Sequence, residues 1–376
     1  MIYDFSKVRK EYKKLNCPRD VWTPQKVPFE SCAHSLILSN RTRGKTTNVL
    51  LYLLIMRKLY KISGAYIRPT ENQIQAKKIK GIFSTIENFN YISVIFDDRW
   101  NSVKYYGQKF YLCYRDEDGN IVDTDPLPFM YTFSVDKHEE YKSSFADNTC
   151  DFIIYDEFIR GSYTQDEFVS FLDLVSTIRR NRETTRCVWL ANSTDLFSPY
   201  FRELCISKQV STMTEGESQI IKVNEGAKVY VEIIGKQNDE KTISLNRFFF
   251  GFPNKRLQSI VGGGWAMPVF PHCKRCEKEV LARNIYVNYN ENFINLKLCY
   301  NDDLGFFVDC SPANQTYSDS YIYTNGEIKA SNEHYKLGTR NAIDKRIWGL
   351  FESNRFYYSD NTTGAMINAY YKECKI

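Results

Sequence analysis

The 376-residue chain has no long apolar run: the longest, Val49 to Met56, falls far short of the roughly 20 residues that a membrane-spanning helix requires. No cationic stretch followed by an apolar one opens the sequence. The expectation is therefore a soluble, cytoplasmic protein with no secretory signal and no membrane partner. The 11 cysteines follow no framework spacing, and a chain of this length can bury its own cores. They are expected as reduced, buried thiols rather than disulfides. One C-x-x-C, Cys273 to Cys276, offers the start of a zinc site with Cys299 or Cys310, but no second pair accompanies it. No internal repeat or low-complexity tract is visible, and with hydrophobic residues at 43% disorder of the whole chain is excluded.

What is present is organised unevenly. Residues 266–376 hold 13 Lys+Arg and 13 Asp+Glu, so the net charge of +5 falls entirely within residues 1–265. A surplus of that size suits a polyanionic partner but is also common on ordinary soluble proteins. Residues 34–200 alternate strand-like and helix-like segments, which predicts a mostly parallel sheet covered by helices on both faces. Strands are expected at Ser35–Ser39, Gly64–Arg68, Asp151–Tyr155 and Arg186–Ala191, and helices at Lys45–Leu59, from Glu71 and at Gln165–Arg182. Residues 91–135, rich in Tyr, Phe and Val around the turn Asp118-Gly119-Asn120, read as inserted hairpins. The organisation expected is an α/β motor domain over 1–205, a polar linker over 206–265 and a smaller α+β domain over 266–376.

The chemistry sits at three places. The strand ending at Ser39 runs into Asn40, Arg41, Thr42, Arg43, Gly44, Lys45 and Thr46 and then into a helix, the context that a phosphate-binding loop needs. In such a loop backbone N–H groups and the helix dipole cradle the phosphates; Lys45 would reach the β and γ phosphates of ATP, and the Thr46 hydroxyl would ligate Mg²⁺. Ser39 stands where the usual pattern has its first glycine. The second place is Asp151-Phe152-Ile153-Ile154-Tyr155-Asp156-Glu157, an apolar strand ending in two carboxylates. There Asp156 would hold Mg²⁺ and Glu157 would polarise the attacking water. The third is Arg179-Arg180-Asn181-Arg182, closing an amphipathic helix. These cations either complement the helix dipole or supply an arginine finger to a neighbouring subunit. Asn192, at the end of the next strand, either senses the γ-phosphate or belongs to a plain turn. ATP is favoured over GTP because no Asn-Lys-x-Asp base-reading motif occurs.

The combination of NRTRGKT, DFIIYDEFIR, a helix closing in RRNRE and the strand CVWLANS resembles the DNA-packaging ATPases of phi29-like tailed phages, relatives of the terminase large subunits. The likeness covers most of residues 34–200 and continues weakly to the C-terminus. Terminase-type loops begin with a short Ser or Asn and carry an Arg four residues before the Lys, matched here by Asn40, Arg41 and Lys45. The resemblance implies a P-loop core of the additional-strand, catalytic-glutamate type followed by a ribonuclease H-like domain. It also implies Arg180 as the trans-acting finger, with Arg179 and Arg182 as alternatives, and Lys142 as a second trans-acting cation. The implied activity is ATP- and Mg²⁺-dependent translocation of double-stranded DNA by a homo-oligomeric ring, a pentamer in the family's pattern. Such a ring works in the host cytoplasm, docked on the portal of a prohead, with a packaging RNA as a further candidate partner. Asn288 and Asn290 stand where a nuclease would want acids, so the last domain is expected to be a vestigial nuclease, leaving Asp302, Asp303, Asp309, Asp319 and Asp344 as scattered carboxylates. The rival readings are a terminase with a working nuclease, a helicase-like ATPase, and a nucleic-acid adaptor with a degenerate loop.

Overall fold

The computed structural model describes residues 3–18, 21–39, 43–142, 145–160, 163, 166–192, 196–223, 226–235, 270, 280–302, 305–314, 321–336 and 342–374. Ten strands form the first sheet: β1 (His34–Leu38), β2 (Ser63–Arg68), β3 (Ser102–Tyr106), β4 (Lys109–Arg115), β5 (Ile121–Thr124), β6 (Met130–Ser134), β7 (Cys150–Asp156), β8 (Arg186–Ala191), β9 (Ser218–Lys222) and β10 (Lys228–Ile233). Their order is β3-β4-β6-β2-β7-β8-β1-β10-β9, with β5 on β4. The strands from β6 to β10 in that order run parallel, and antiparallel strands close both edges.

Period-2 alternation splits the central strands between two cores. Tyr66, Phe152, Ile154, Val188 and Leu190 face one of them, with α1 (Phe5–Lys14) and α2 (Lys45–Tyr60). Ala65, Ile67, Ile153, Tyr155 and Trp189 face the other, with α3 (Glu167–Arg179) and α4 (Pro199–Glu203). Helix α2 is buried from Asn48 to Arg57 because the sheet covers one side and α1 and neighbouring helical segments cover the other, which is why its apolar residues form no stripe. Gly64 allows this close fit. A Cβ there would lie 2.6 Å from Leu53 Cδ2 and 3.0 Å from the Phe152 carbonyl oxygen.

Three expectations need correction. Tyr91–Phe96 is helical rather than part of a hairpin, because Tyr91, Ile92 and Ile95 turn one face onto the α2 core and packing overrides a β-branched composition. The helix expected from Glu71 breaks into two short pieces, Glu71–Ile74 and Ala76–Ile79. Most consequentially, Ser207–Thr212, β9 and β10 occupy the start of the stretch read as linker, and β10 pairs in parallel with β1 inside the first sheet. The remainder of that stretch, from residue 236, lies outside the described residues, as does the C-x-x-C at Cys273 and Cys276.

A second sheet holds β11 (Val280–Tyr289), β12 (Asn292–Asn301), β13 (Gly305–Pro312), β14 (Tyr321–Thr324), β15 (Glu333–Tyr335) and β16 (Phe356–Tyr358), in the order β15-β14-β11-β12-β13-β16. The first three form an antiparallel meander, while β14 and β15 add in parallel on the other side of β11. That strand order and sense are those of a ribonuclease H-like sheet. Helices α5 (Ala342–Glu352) and α6 (Asn361–Cys374) pack against it through Ile347, Ile367 and Tyr370.

The Gly64 contact yields a stability prediction: Gly64→Ala should lower the unfolding free energy by roughly 1–3 kcal/mol through overpacking. Urea denaturation followed by circular dichroism reads it as a lower midpoint; an unchanged midpoint would mean that α2 yields freely.

Candidate functional site

Every parallel strand delivers its C-terminal end to one edge of the first sheet, and the candidate site is built there. β1 is followed by Ser39, which is fully buried and fixed by its N–H to the Ala191 carbonyl at 3.2 Å. Gly44 caps α2 with φ +69°, and a Cβ there would meet Asn48 Nδ2 at 3.0 Å and Val21 Cβ at 3.1 Å, so only glycine makes this turn without displacing neighbours. Buried Arg43 directs its guanidinium to the Gly235 carbonyl just beyond β10, tying the loop to the strand that flanks β1. Asn40, Arg41 and Thr42 lie outside the described residues.

Lys45 donates to Ser39 Oγ and to Asn192 Oδ1, the latter at 2.8 Å. The serine in the place of a glycine thus supplies a hydroxyl that parks the lysine, and Asn192 is brought to the same ammonium. Burial pushes the Lys45 pKa down to about 8, against the attraction of Asp156 and with the help of the Arg43 charge.

Opposite Lys45 stand the two carboxylates. Asp156 Oδ2 accepts from Thr46 Oγ1 at 3.0 Å and from the Tyr66 hydroxyl at 2.6 Å, and Arg68 Nη2 lies 3.3 Å away. Arg68 also pairs through Nη1 with Glu157, to which Gln73 Nε2 donates at 3.3 Å. Its Nε donates to the Tyr66 hydroxyl at 2.9 Å. Burial opposes the Arg68 charge, but Tyr66, Asp156 and Glu157 outweigh it and hold the guanidinium more firmly protonated than usual. Burial together with Asp156 keeps Tyr66 a phenol, a permanent donor. Glu157 adopts φ +58°, with its N–H on the Leu190 carbonyl at 2.8 Å. A non-glycine residue in this region is strained, and the strain lifts the second carboxylate off the strand axis toward the open side of the site. Thr46 and Asp156 present two oxygens at adjacent positions beneath the loop, a donor set that fits the hard-oxygen shell of Mg²⁺.

Sequence reasoning missed Arg68, Tyr66 and Gln73. The available signal was a cation closing an apolar strand, but only the sheet order places β2 beside β7.

The remaining candidates lie elsewhere. Arg180 donates to the Phe145 carbonyl at 2.7 Å, and Arg182 binds Asp151 at 2.6 Å and the Cys150 carbonyl at 2.6 Å. Cys150 and Asp151 lie at the start of β7 and Glu157 follows its end, so Arg182 is anchored roughly 20 Å of extended chain away from the carboxylate pair. None of these arginines reaches its own chain's carboxylate pair. Arg182 is built into the Asp151 cluster, which also takes the Tyr3 and Thr184 hydroxyls. Arg179 donates to the Arg182 carbonyl. Arg180 has φ +52° and ψ −124°, a conformation costly for a side chain-bearing residue. Lys142 contacts Glu139 at 2.7 Å and Asp173 at 3.3 Å, and its ammonium supplies the positive charge among His138, Glu139 and Asp173.

In the second domain Asp302, just after β12, is exposed, Asp309 is half-buried on β13, and Asp344 on α5 is buried, accepting from Tyr323. Asp303 and Asp319 lie outside the described residues. Asn288 lies on β11 and Asn290 in the turn after it, and among the described residues no three potential metal ligands of this domain converge.

β8 lies between the loop-bearing β1 and the carboxylate-bearing β7, and the glutamate follows the aspartate directly. Fold and site therefore define a P-loop NTPase core of the additional-strand, catalytic-glutamate type. Residues 22–240 match the family described as podovirus DNA encapsidation protein (Gp16), and the chain belongs to that family. It is 30% identical over 185 residues to the DNA packaging proteins of Bacillus phages PZA and phi29, covering 48% of this chain and 48% of each relative. The chain thus spans about half the length of those relatives. In fold it is similar to the Phi-28 gp11 DNA packaging motor, with TM-score 0.56, 18% identity and coverage of 96% of this chain and 99% of that one. The bacteriophage Phi-29 packaging motor assembly gives TM-score 0.55 and 17% identity over 94% of this chain and 99% of that one.

The lowered Lys45 pKa makes a pH prediction. A phosphate ligand requires the ammonium, and the free site loses it as pH rises through about 8. Affinity for a non-hydrolysable ATP analogue should hold below pH 8 and fall above it by up to roughly tenfold per pH unit, with net proton uptake on binding. Calorimetry in buffers of different ionisation enthalpy reads this; pH-independent affinity from 7 to 9.5 would contradict it.

Proposed function

We propose that this chain is the ATP-hydrolysing subunit of a ring motor that drives double-stranded DNA into a phage prohead. The observation that carries the reading is the convergence of Lys45, Thr46, Asp156 and Glu157 at one sheet edge in a member of the encapsidation family. Lys45 leaves Ser39 and Asn192 for the β and γ phosphates, and the vacated Asn192 amide turns to the γ-phosphate. Glu157 orients and polarises the attacking water. Thr46 and Asp156 would hold Mg²⁺, which would supply neutralisation of phosphate charge. Arg68 quenches both carboxylates in the nucleotide-free chain, and its release from Glu157 frees that carboxylate for the water.

Arg180, bound to the Phe145 carbonyl rather than to its own Asp156 or Glu157, acts in a neighbour's site, with Lys142 as a second cation for the same interface. That arrangement requires a homo-oligomeric ring, a pentamer by family likeness, seated on a portal in the host cytoplasm with or without a packaging RNA. DNA is gripped through its phosphates by the basic surplus of residues 1–265, so binding weakens with salt and is nearly blind to sequence. The ribonuclease H-like domain has no clustered acids among its described residues and acts in docking or nucleic-acid contact rather than cleavage.

Glu157→Gln should keep nucleotide binding while hydrolysis falls by roughly two to four orders of magnitude, whereas Lys45→Ala should lose binding. The reverse pattern would overturn the assignments. Mixing Arg180→Ala with Glu157→Gln subunits should restore hydrolysis at heterologous interfaces, where an intact glutamate meets an intact arginine. No restoration at any ratio would mean that Arg180 does not work in trans.

A further inference from the structure

The polar contacts of the first sheet do not end at the phosphate edge. Tyr155, the residue before Asp156, is fully buried, and its ring stacks on Phe171 of α3 at 4.2 Å. Its hydroxyl lies 2.6 Å from the Tyr200 hydroxyl, which donates to Glu167 Oε1 at 2.6 Å. Glu167 is buried at the first turn of α3, where it also pairs with Arg160, three residues beyond Glu157. Tyr200 therefore ties α4 to the carboxylate-bearing strand and to the helix that ends at Arg180.

Arg202 lies two residues further along α4. At 100° per residue it points to roughly the opposite side of the helix from Tyr200. It meets the second sheet there. Arg202 Nη1 is 2.5 Å from Glu373 Oε2 of α6, a carboxylate only 6% exposed. The Tyr289 hydroxyl lies 2.8 Å from Glu373 Oε1 and 3.1 Å from the Phe197 carbonyl, and Asn325 Nδ2 donates to Glu373 Oε2 at 3.2 Å. Phe197, just ahead of α4, is buried in the core of the second domain, while Leu196 packs against both domain cores. A buried carboxylate held by an arginine from another domain loses far more than a surface pair when one partner is removed.

We propose that α4 is the relay between the ATP site and the ribonuclease H-like domain, with Tyr200 as its positioning residue on the β7–α3 side and Arg202 as its grip on Glu373. The relay rests on the ATPase reading. Its logic is mechanical: a shift of β7 or α3 on nucleotide binding moves the Tyr155–Tyr200–Glu167 chain. α4 is a single short turn with contacts on opposite sides, so it passes the movement to α6 and β11 rather than absorbing it.

Hydrogen–deuterium exchange on the full chain, with and without Mg²⁺ and a non-hydrolysable ATP analogue, tests this. In the unmodified protein the analogue should slow exchange in α2, β7 and α3, and also in β11, β12 and α6, the latter by about fivefold, at the low end of coupling energies between sites. Arg202→Ala should keep the response in the first group and lose it in the second, and Arg202→Lys should restore it. Tyr200→Phe, which removes one hydroxyl, should blunt the response of the second domain while the loop and α2 remain protected. Thermal unfolding of each variant separates loss of coupling from loss of fold. Protection of the second domain that survives Arg202→Ala would overturn the relay, as would its absence in the unmodified chain when α2 is protected. No protection even at α2 would instead sink the ATPase reading, and the relay with it.

Discussion

Two carboxylates at the end of a fully buried strand constrain everything around them. β7 is covered on both faces, so Asp156 is taken out of water and must be satisfied by the protein. It is satisfied by three groups from two elements, the Thr46 hydroxyl of α2, and the Tyr66 hydroxyl and Arg68 guanidinium of β2. Lys45 is likewise desolvated, and the nearby negative charge of Asp156 opposes the loss of its proton. The loop helix, β2 and β7 are therefore held in register by one electrostatic cluster. Removing a single member leaves a buried charge without its partner, which costs more than the net worth of the pair.

Two positions bear the strain of this arrangement. Glu157 and Arg180, the two residues assigned to opposite sides of a subunit boundary, both take positive φ values that only glycine adopts freely. Each conformation costs of the order of 1–3 kcal/mol and persists because the surrounding contacts determine it. For Glu157 the determinants are the Leu190 carbonyl, Arg68 and Gln73. For Arg180 they are the end of α3 and the Phe145 carbonyl.

Strands β1, β7 and β8 and helix α2 were readable from sequence, because each is a local apolar run with a polar terminus. The parallel pairing of β14 with β11 in the second domain carries no local signal. What escaped was whatever depends on neighbours distant in sequence. Arg68 is an unremarkable cation after an apolar run until β2 is seen beside β7. β10 has a clear strand composition in Val229, Tyr230, Val231 and Ile233, yet nothing in that run shows that it pairs with β1, far earlier in the sequence. Tyr91–Phe96 failed in the other direction, since its composition favours a strand and only the α2 surface makes it a helix. Arg202 and Glu373 carry no local signal, being 171 residues apart.

The pairing of β1 with β8 on one side and β10 on the other has a consequence for how the chain comes into being. The loop-bearing strand is made first, at residues 34–38, yet its flanking strands come late, at residues 186–191 and, last in that sheet, at 228–233. Until that second neighbour emerges, the nascent chain holds an apolar strand with an unpaired edge and a phosphate loop whose Arg43 anchor on Gly235 does not yet exist. Contacts this distant in sequence make closure slow and leave the half-built sheet open to association with other chains. A chain cut off shortly after β8 would carry every motif of the nucleotide site and still lack the strand and anchor that hold its loop in place.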